Sequence, residues 1–210
     1  MVDILYEDNH ILVAIKPKGI LSQADGSSKK DMLSILKAYI KEKYKKPGNV
    51  YLGLVHRLDL FTSGIMVFAK TSKAAKRLSK QIYDHEVTKK YLAIVEGKLL
   101  GSRTLCTYLT KDEALKKSVV DPLGQEAILT YTALEEKKEV TLVDITLKTG
   151  RFHQIRAQLA SIGHPLYGDQ KYGSTHQIDS FEFPLEAYHL SFFHPTTGKR
   201  LSFEHKTLHL

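Results

Sequence analysis

A chain of 210 residues, 42% of them hydrophobic, can bury one sizeable core and is expected to form a single domain over 1–210. Its formal net charge of +8 and pI near 9.3 describe its partners rather than its fold, because a basic surface attracts nucleic acid or an anionic membrane. No run of about 18 apolar residues exists, which excludes a spanning helix, and the acidic, strand-like start (Asp3, Glu7, Asp8) does not read as a signal peptide. One cysteine, Cys106, excludes an intramolecular disulfide and fits a reducing compartment, so a cytoplasmic location is expected. Cys106 alternates with threonines and a tyrosine and is expected as a small buried residue of a strand.

Ile4 to Ile15 reads as two short strands around a turn at Glu7-Asp8-Asn9-His10, ending at Lys16-Pro17-Lys18-Gly19. Ser28 and Asp31 resemble a capping box before a helix carrying Leu33, Leu36 and Ile40, which Pro47-Gly48 follows. The loop His56 to Gly64 runs into Ile65-Met66-Val67-Phe68-Ala69, a short continuous apolar run that predicts a strand buried on both faces. Thr71 or Ser72 caps the next helix, whose buried stripe is Ala74 or Ala75, Leu78 and Ile82. The segments 91–96, 103–109, 127–134 and 140–147 read as an antiparallel group of strands. Gly150 to Ile162 reads as a helix with Phe152, Ile155, Leu159 and Ile162 on its core face, ended by Gly163 and Pro165. Two strands, near 188–193 and 200–203, flank a turn at His194-Pro195-Thr196-Thr197-Gly198. Helices and strands do not alternate regularly, so the fold class is α+β rather than a doubly wound sheet.

Asp59 is the only acid from Lys43 to Tyr83, a window with nine lysines and arginines. Spacing alone leaves two readings open: a carboxylate capping the turn through the Thr62 or Ser63 amides, or a lone nucleophile or base beside an anionic substrate. The absence of a second acid nearby argues against a divalent-metal site and against paired-carboxylate glycosidase chemistry. A second basic segment, Gly150-Arg151-Phe152-His153-Gln154-Ile155-Arg156, lies in a stretch without acids between Asp144 and Asp169. It is either a solvated basic helix face or an anion-binding helix end. Tyr91, opening a strand after Lys89-Lys90, is either an edge tyrosine or a ring that stacks on a base and moves a proton. His56, His153, His164, His189 and His194 lack the spacing of a zinc motif, so no metal site is expected.

Together these segments resemble the RluA-type pseudouridine synthases along almost the whole chain. The resemblance is carried by Ile11 to Leu21 with its Lys16-Pro17-Lys18-Gly19 turn, and by His56, Arg57, Leu58, Asp59, Thr62, Ser63 and Gly64. Lys90-Tyr91, then Gly150-Arg151, His153 to Arg156, Leu159 and Gly163 to Asp169, and His194-Pro195 with Thr197-Gly198 continue it in the same order. It implies the pseudouridine synthase fold, a mixed, mostly antiparallel sheet flanked by helices with an RNA-binding cleft. It also implies a cofactor-free isomerase making pseudouridine from a specific uridine in rRNA or tRNA. Asp59 takes the role of catalytic carboxylate, Arg156 of the arginine paired with it, and Tyr91 of the residue packed on the flipped base and implicated in C5 proton loss. Arg57 takes the base-displacing role, and His56, Arg151, His153 and Lys16 are expected at the RNA. The sequence departs from the family at Phe152, Gln158 and Tyr188-His189. Because the motifs begin almost at residue 1, no S4 domain is expected before them, so target choice falls to this domain. RNA is the expected partner of a monomeric protein, without DNA or membrane. The competing reading is a non-catalytic RNA-binding module on the same fold, which would have no need of an acid facing phosphates. A phosphate-ester hydrolase with an aspartyl nucleophile would want Mg²⁺ and a second acid.

Overall fold

The structure, a computed structural model, describes residues 2–178 and 183–210. In chain order the elements are β1 (Ile4–Glu7), β2 (Ile11–Lys16), α1 (Met32–Lys43), β3 (Gly53–Leu54), β4 (Ser63–Ala69) and α2 (Ser72–Tyr83). They continue with β5 (Thr88–Glu96), β6 (Ser102–Asp112), β7 (Lys117–Val120), β8 (Gln125–Lys137), β9 (Val140–Leu147), α3 (Gln154–Ser161), β10 (Leu185–Phe193) and β11 (Arg200–Glu204). Within the span expected to be one domain the chain forms two compact units. The first holds residues up to Val87 and His189–His205; the second holds Thr88–Tyr188 and Lys206–Leu210. The chain passes from the second to the first partway along β10. Among the described residues no helix is long and apolar enough to cross a membrane.

In the first unit β2 pairs antiparallel with β1 and with β4, β3 adds to β4, and β10 pairs antiparallel with β11. The register Ile11↔Ala69 through Lys16↔Gly64 sets the end of β2 opposite the start of β4. One face of β2 and β4 (Ile11, Val13, Ile65, Val67) enters a core with Ala74 and Leu78 of α2 and Leu190 and Phe192 of β10. Leu12, Ala14, Met66 and Phe68 on the opposite face are also buried. The apolar run at 65–69 is therefore covered on both sides, as its continuous hydrophobicity predicts. Thr71 caps α2 by accepting from the Ala74 amide at 3.1 Å. The start of α1 differs from expectation. Asp31 is itself the cap, accepting from the Ser34 amide at 3.0 Å, and Met32, Leu36 and Ile40 are its buried residues. A residue with extended backbone directly before the first helical turn outcompetes a cap placed three residues earlier.

Glu7 ties the start of this unit together. Its carboxylate accepts from Lys43 and Lys70 at 2.7 Å each, from Tyr39 at 3.0 Å and from Tyr44 at 2.9 Å. Burial alone would raise its pKa, but the bonds from Lys43, Lys70, Tyr44 and Tyr39 outweigh it and lower the value from 4.5 to about 2.

In the second unit the antiparallel order is β5-β9-β8-β6-β7. All four expected strands are present. β7, a four-residue strand too short to carry a pattern, was not foreseen. Cys106 corrects an expectation: Leu105 and Leu109 point inward on β6, and Cys106, of opposite parity to both, is exposed. The helix expected over 150–162 is also shorter. His153 adopts a left-handed backbone (φ 48°, ψ 27°), so α3 starts only at Gln154. Ile155 and Leu159 are buried as expected, whereas Phe152 and Ile162 lie beyond the ends of the helix and are half-buried. On β5, Glu96 accepts from Ser174, from the Thr175 hydroxyl at 3.0 Å and from the Thr175 amide at 3.2 Å, anchoring the segment after Asp169.

Replacing Glu7 by Gln is expected to destabilise the protein by on the order of 2 kcal/mol at pH 7, since a one-unit shift corresponds to about 1.4 kcal/mol. The folded pKa lies below the unfolded one, so this contribution is present above about 4.5 and is lost as pH falls towards about 2. Denaturant unfolding at pH 7 and pH 3 checks the sign, with the gap between wild type and Glu7→Gln narrowing at the lower pH.

Candidate active site

The loop between β3 and β4 carries His56, Arg57, Leu58, Asp59 and Leu60 and is held from several directions. The Ser22 hydroxyl donates to the Leu58 carbonyl (2.8 Å) and accepts from the Leu58 amide (3.0 Å), pinning the residue before Asp59. Leu58 itself is buried, while Arg57 is exposed. The Gly19 amide donates to the Leu60 carbonyl at 2.9 Å, so the Lys-Pro-x-Gly turn grips the other side of Asp59. His56 accepts the Val67 amide on Nε2 at 3.0 Å, which in a neutral ring leaves the proton on Nδ1. The Thr62 amide donates to the backbone carbonyl of Asp59 at 3.1 Å. The turn is thus closed by the main chain.

Lys16 is placed differently from expectation. It is 0% exposed, at the end of β2. Its ammonium donates to the carbonyls of Ile20 (2.7 Å), Pro17 (3.0 Å) and Leu60 (3.0 Å). Three donors meet three carbonyls, which satisfies the charge inside the protein and leaves Lys16 to position the loop rather than to contact a phosphate. Burial lowers its pKa from 10.5 to about 8, against the pull of the Asp59 charge, which raises it. That attraction is mutual, so Asp59 has a cation of its own unit in range.

In the second unit α3 and the residues before it form a polar core. Gln154 accepts from the Thr149 hydroxyl (2.8 Å) and the Arg151 amide (2.9 Å), and donates to the Ile128 carbonyl (3.1 Å) and to Gln158 (3.0 Å). Gln158, one of the departures from the family, donates to the Thr107 hydroxyl (3.0 Å) and the Ala127 carbonyl (2.9 Å). Arg156 is 6% exposed, so it does not belong to a solvated helix face. Its Nε and a terminal nitrogen donate to the two oxygens of Asp169 at 2.6 and 2.8 Å, and the guanidinium lies over the rings of Phe183 and Tyr172 at 4.3 and 4.8 Å. A bidentate carboxylate and two rings lock its plane. His153 stacks on Phe152 (3.8 Å between centroids) and bonds the Tyr172 hydroxyl at 3.0 Å. Arg151 is exposed, with Nε donating to the Glu126 carbonyl at 2.8 Å. Tyr91 is 7% exposed on β5, paired with Ile145 of β9.

The first unit thus assembles His56, Arg57, Asp59 and Lys16, and the second Tyr91, Arg151, His153 and Arg156. Sequence reasoning missed Ser22, Asp169 and Tyr172 as the residues that hold these groups. Asp169 carried a signal: it is the first acid after the basic stretch that begins beyond Asp144. Ser22 carried none, because its partnership with Leu58 spans 36 residues.

A family model described as RNA pseudouridylate synthase matches residues 10–161. The Zymomonas mobilis protein named ribosomal large subunit pseudouridine synthase D is 35% identical over 216 residues, covering 97% of this chain and 68% of that protein. The Pseudomonas aeruginosa protein of the same name is 36% identical over 219 residues, covering 97% and 67%. Among solved structures, human RNA pseudouridylate synthase domain containing 4 superposes with a TM-score of 0.78 over 97% of this chain and 88% of that one, and at 23% identity it attests the fold alone. With the α+β pseudouridine synthase fold and the identity to these relatives, the chain belongs to the RNA pseudouridylate synthase family, of the RluA type, as an RNA-modifying isomerase.

Proposed function

We propose that this isomerase acts on a uridine of large-subunit ribosomal RNA and that Asp59 is its catalytic carboxylate. The observation that carries the assignment is the pinned loop, in which one acid stands among basic residues with its neighbours fixed by Ser22, Gly19 and Lys16. The names of the bacterial relatives, which refer to the large ribosomal subunit, favour ribosomal RNA over tRNA. The net charge of +8 supports a polyanionic partner and steers its approach. We take the enzyme to work as a cytoplasmic monomer.

The reaction breaks the N1–C1′ bond, turns the uracil and joins C5 to C1′. C5 loses a proton and N1 gains one, so the product is an isomer of the substrate. A stacked base cannot turn, so the nucleotide leaves the stack first, at a cost of a few kcal/mol that phosphate contacts offset. Asp59, ionised, acts on the ribose or the base as the glycosidic bond breaks. Arg57, exposed beside it in sequence, is suited to fill the space that the base leaves. Tyr91 packs on the uracil and takes part in removal of the C5 proton. Arg156 serves the anionic chemistry with its guanidinium held by Asp169, and His56, Arg151 and His153 face the RNA.

Asp59→Asn is expected to reduce turnover below roughly one thousandth of wild type while RNA affinity stays within about threefold. Tritium release from C5-labelled ribosomal RNA, taken from cells lacking the gene, reads the first and filter binding the second. Substantial release by Asp59→Asn removes the assignment. Tyr91→Phe keeps the ring and is expected to slow release roughly a hundredfold; an unchanged rate denies the hydroxyl an acid–base role. The rate is also expected to fall as pH rises through about 8, where Lys16 loses its proton, its charge and one of its three donors. A pH–rate profile of Lys16→Met should be low and lack that descent.

A further inference from the structure

Lys89 departs from the way the second unit treats its other buried polar groups. It lies on β5, half-buried, and among the described residues its ammonium makes no hydrogen bond and no ion pair. Its position is nonetheless defined: a Cβ built on Gly150 would stand 3.3 Å from its nitrogen, so the ammonium sits against the bare backbone of Gly150. The register pairs Lys89 with Leu147 and Tyr91 with Ile145 without a shift, so Lys89 and Tyr91 share one face of β5, about 7 Å apart along the strand. Burial without a partner lowers the lysine's pKa. Arg151, next to Gly150, spends only Nε on the protein, at the Glu126 carbonyl, and its two terminal nitrogens make no bond among the described residues. Lys148, two residues before Gly150, is exposed. No acidic residue occurs from Ile145 to Gly168.

A half-buried cation without a protein partner gives up part of its hydration and receives no pairing energy from the folded chain in return. Its partner is therefore to be sought outside the folded chain. The partner must be anionic, must approach past Gly150, and must reach the face of β5 that bears Tyr91. An RNA backbone phosphate meets all three conditions. We propose that the Lys89 ammonium, seated against Gly150 and flanked by Arg151, binds a backbone phosphate of the substrate RNA close to the target nucleotide. Gly150 then serves as the open side of the site, since any side chain there would stand between the ammonium and the incoming strand. Lys89 is a positioning residue in this scheme: it holds the strand and does not touch the reacting atoms. The proposal rests on the synthase reading for the identity of the ligand, while the site itself rests on the geometry of the second unit.

The test compares wild type, Lys89→Met, Lys89→Arg and, as an exposed control, Lys98→Met, whose lysine is already paired with Glu136 at 3.0 Å. Binding to transcribed large-subunit ribosomal RNA is measured at a series of KCl concentrations, alongside thermal melting and C5 tritium release. Lys89→Met is expected to flatten the slope of log Kd against log salt by about 0.7–0.9, the loss of one phosphate contact, and to weaken binding roughly three- to tenfold. Lys89→Arg should restore the slope and Lys98→Met should leave it alone. Lys89→Met should also melt no lower than wild type, because it removes an uncompensated charge. An unchanged slope in Lys89→Met overturns the proposal, as does a lowered melting temperature with the slope intact, which would mark a structural lysine. Loss of slope with no tritium release by wild type would uphold the phosphate site and refute the synthase reading, so the two fail separately.

Discussion

The fixed geometry around Asp59 depends on one buried ammonium. Lys16 ends β2, opposite Gly64 at the start of β4, so the sheet register delivers its side chain beneath the loop that runs from His56 to Gly64. A desolvated ammonium must find acceptors, and the acceptors present are the main-chain carbonyls of Pro17, Ile20 and Leu60. Satisfying the charge therefore fixes two loops against each other. The arrangement is costly in isolation, as the lysine's pKa of about 8 records. It is the kind of local expense that a protein sustains where a side chain must be held in one geometry.

The second unit solves a similar problem with neutral amides and one ion pair. An eight-residue helix has little stability of its own. α3 is instead anchored by Gln154 and Gln158, whose amides bond neighbouring strands, and by Arg156 clamped on Asp169 between aromatic rings. Such a network defines one arrangement because each buried donor has an assigned acceptor. Lys89 stands out against this background: where the neighbouring polar groups are satisfied internally, a cation with no partner among the described residues has the character of a group that awaits a ligand.

The positive charge is distributed in keeping with these roles. Lys16 and Arg156 are buried and bound to protein acceptors. Arg57 and Arg151 are exposed on or beside the same segments, where a polyanion can reach them. A net charge of +8 therefore divides, within each unit, into cations bound to protein acceptors and cations that face outward, a distinction that composition alone does not make.

Much of this was legible in the sequence because it is local. The apolar run 65–69, the alternating strands, the Thr71 cap and the acid-poor window around Asp59 each follow from residues within one element, where side-chain periodicity and composition act directly. The α+β class and the family resemblance follow from their order. Tertiary structure decided the partnerships. Lys16 looked like a surface cation because its carbonyl acceptor on Leu60 lies 44 residues away, and no pattern near Lys16 announces it. Arg156 read either as part of a solvated basic face or as part of an anion-binding helix end, and only Asp169 with the rings of Tyr172 and Phe183 showed it enclosed. Cys106 looked buried until parity with Leu105 placed it outward. The physical reason is common to all three: burial and charge pairing are properties of the assembled core, in which residues distant in sequence compete for the same space and the same hydrogen bonds.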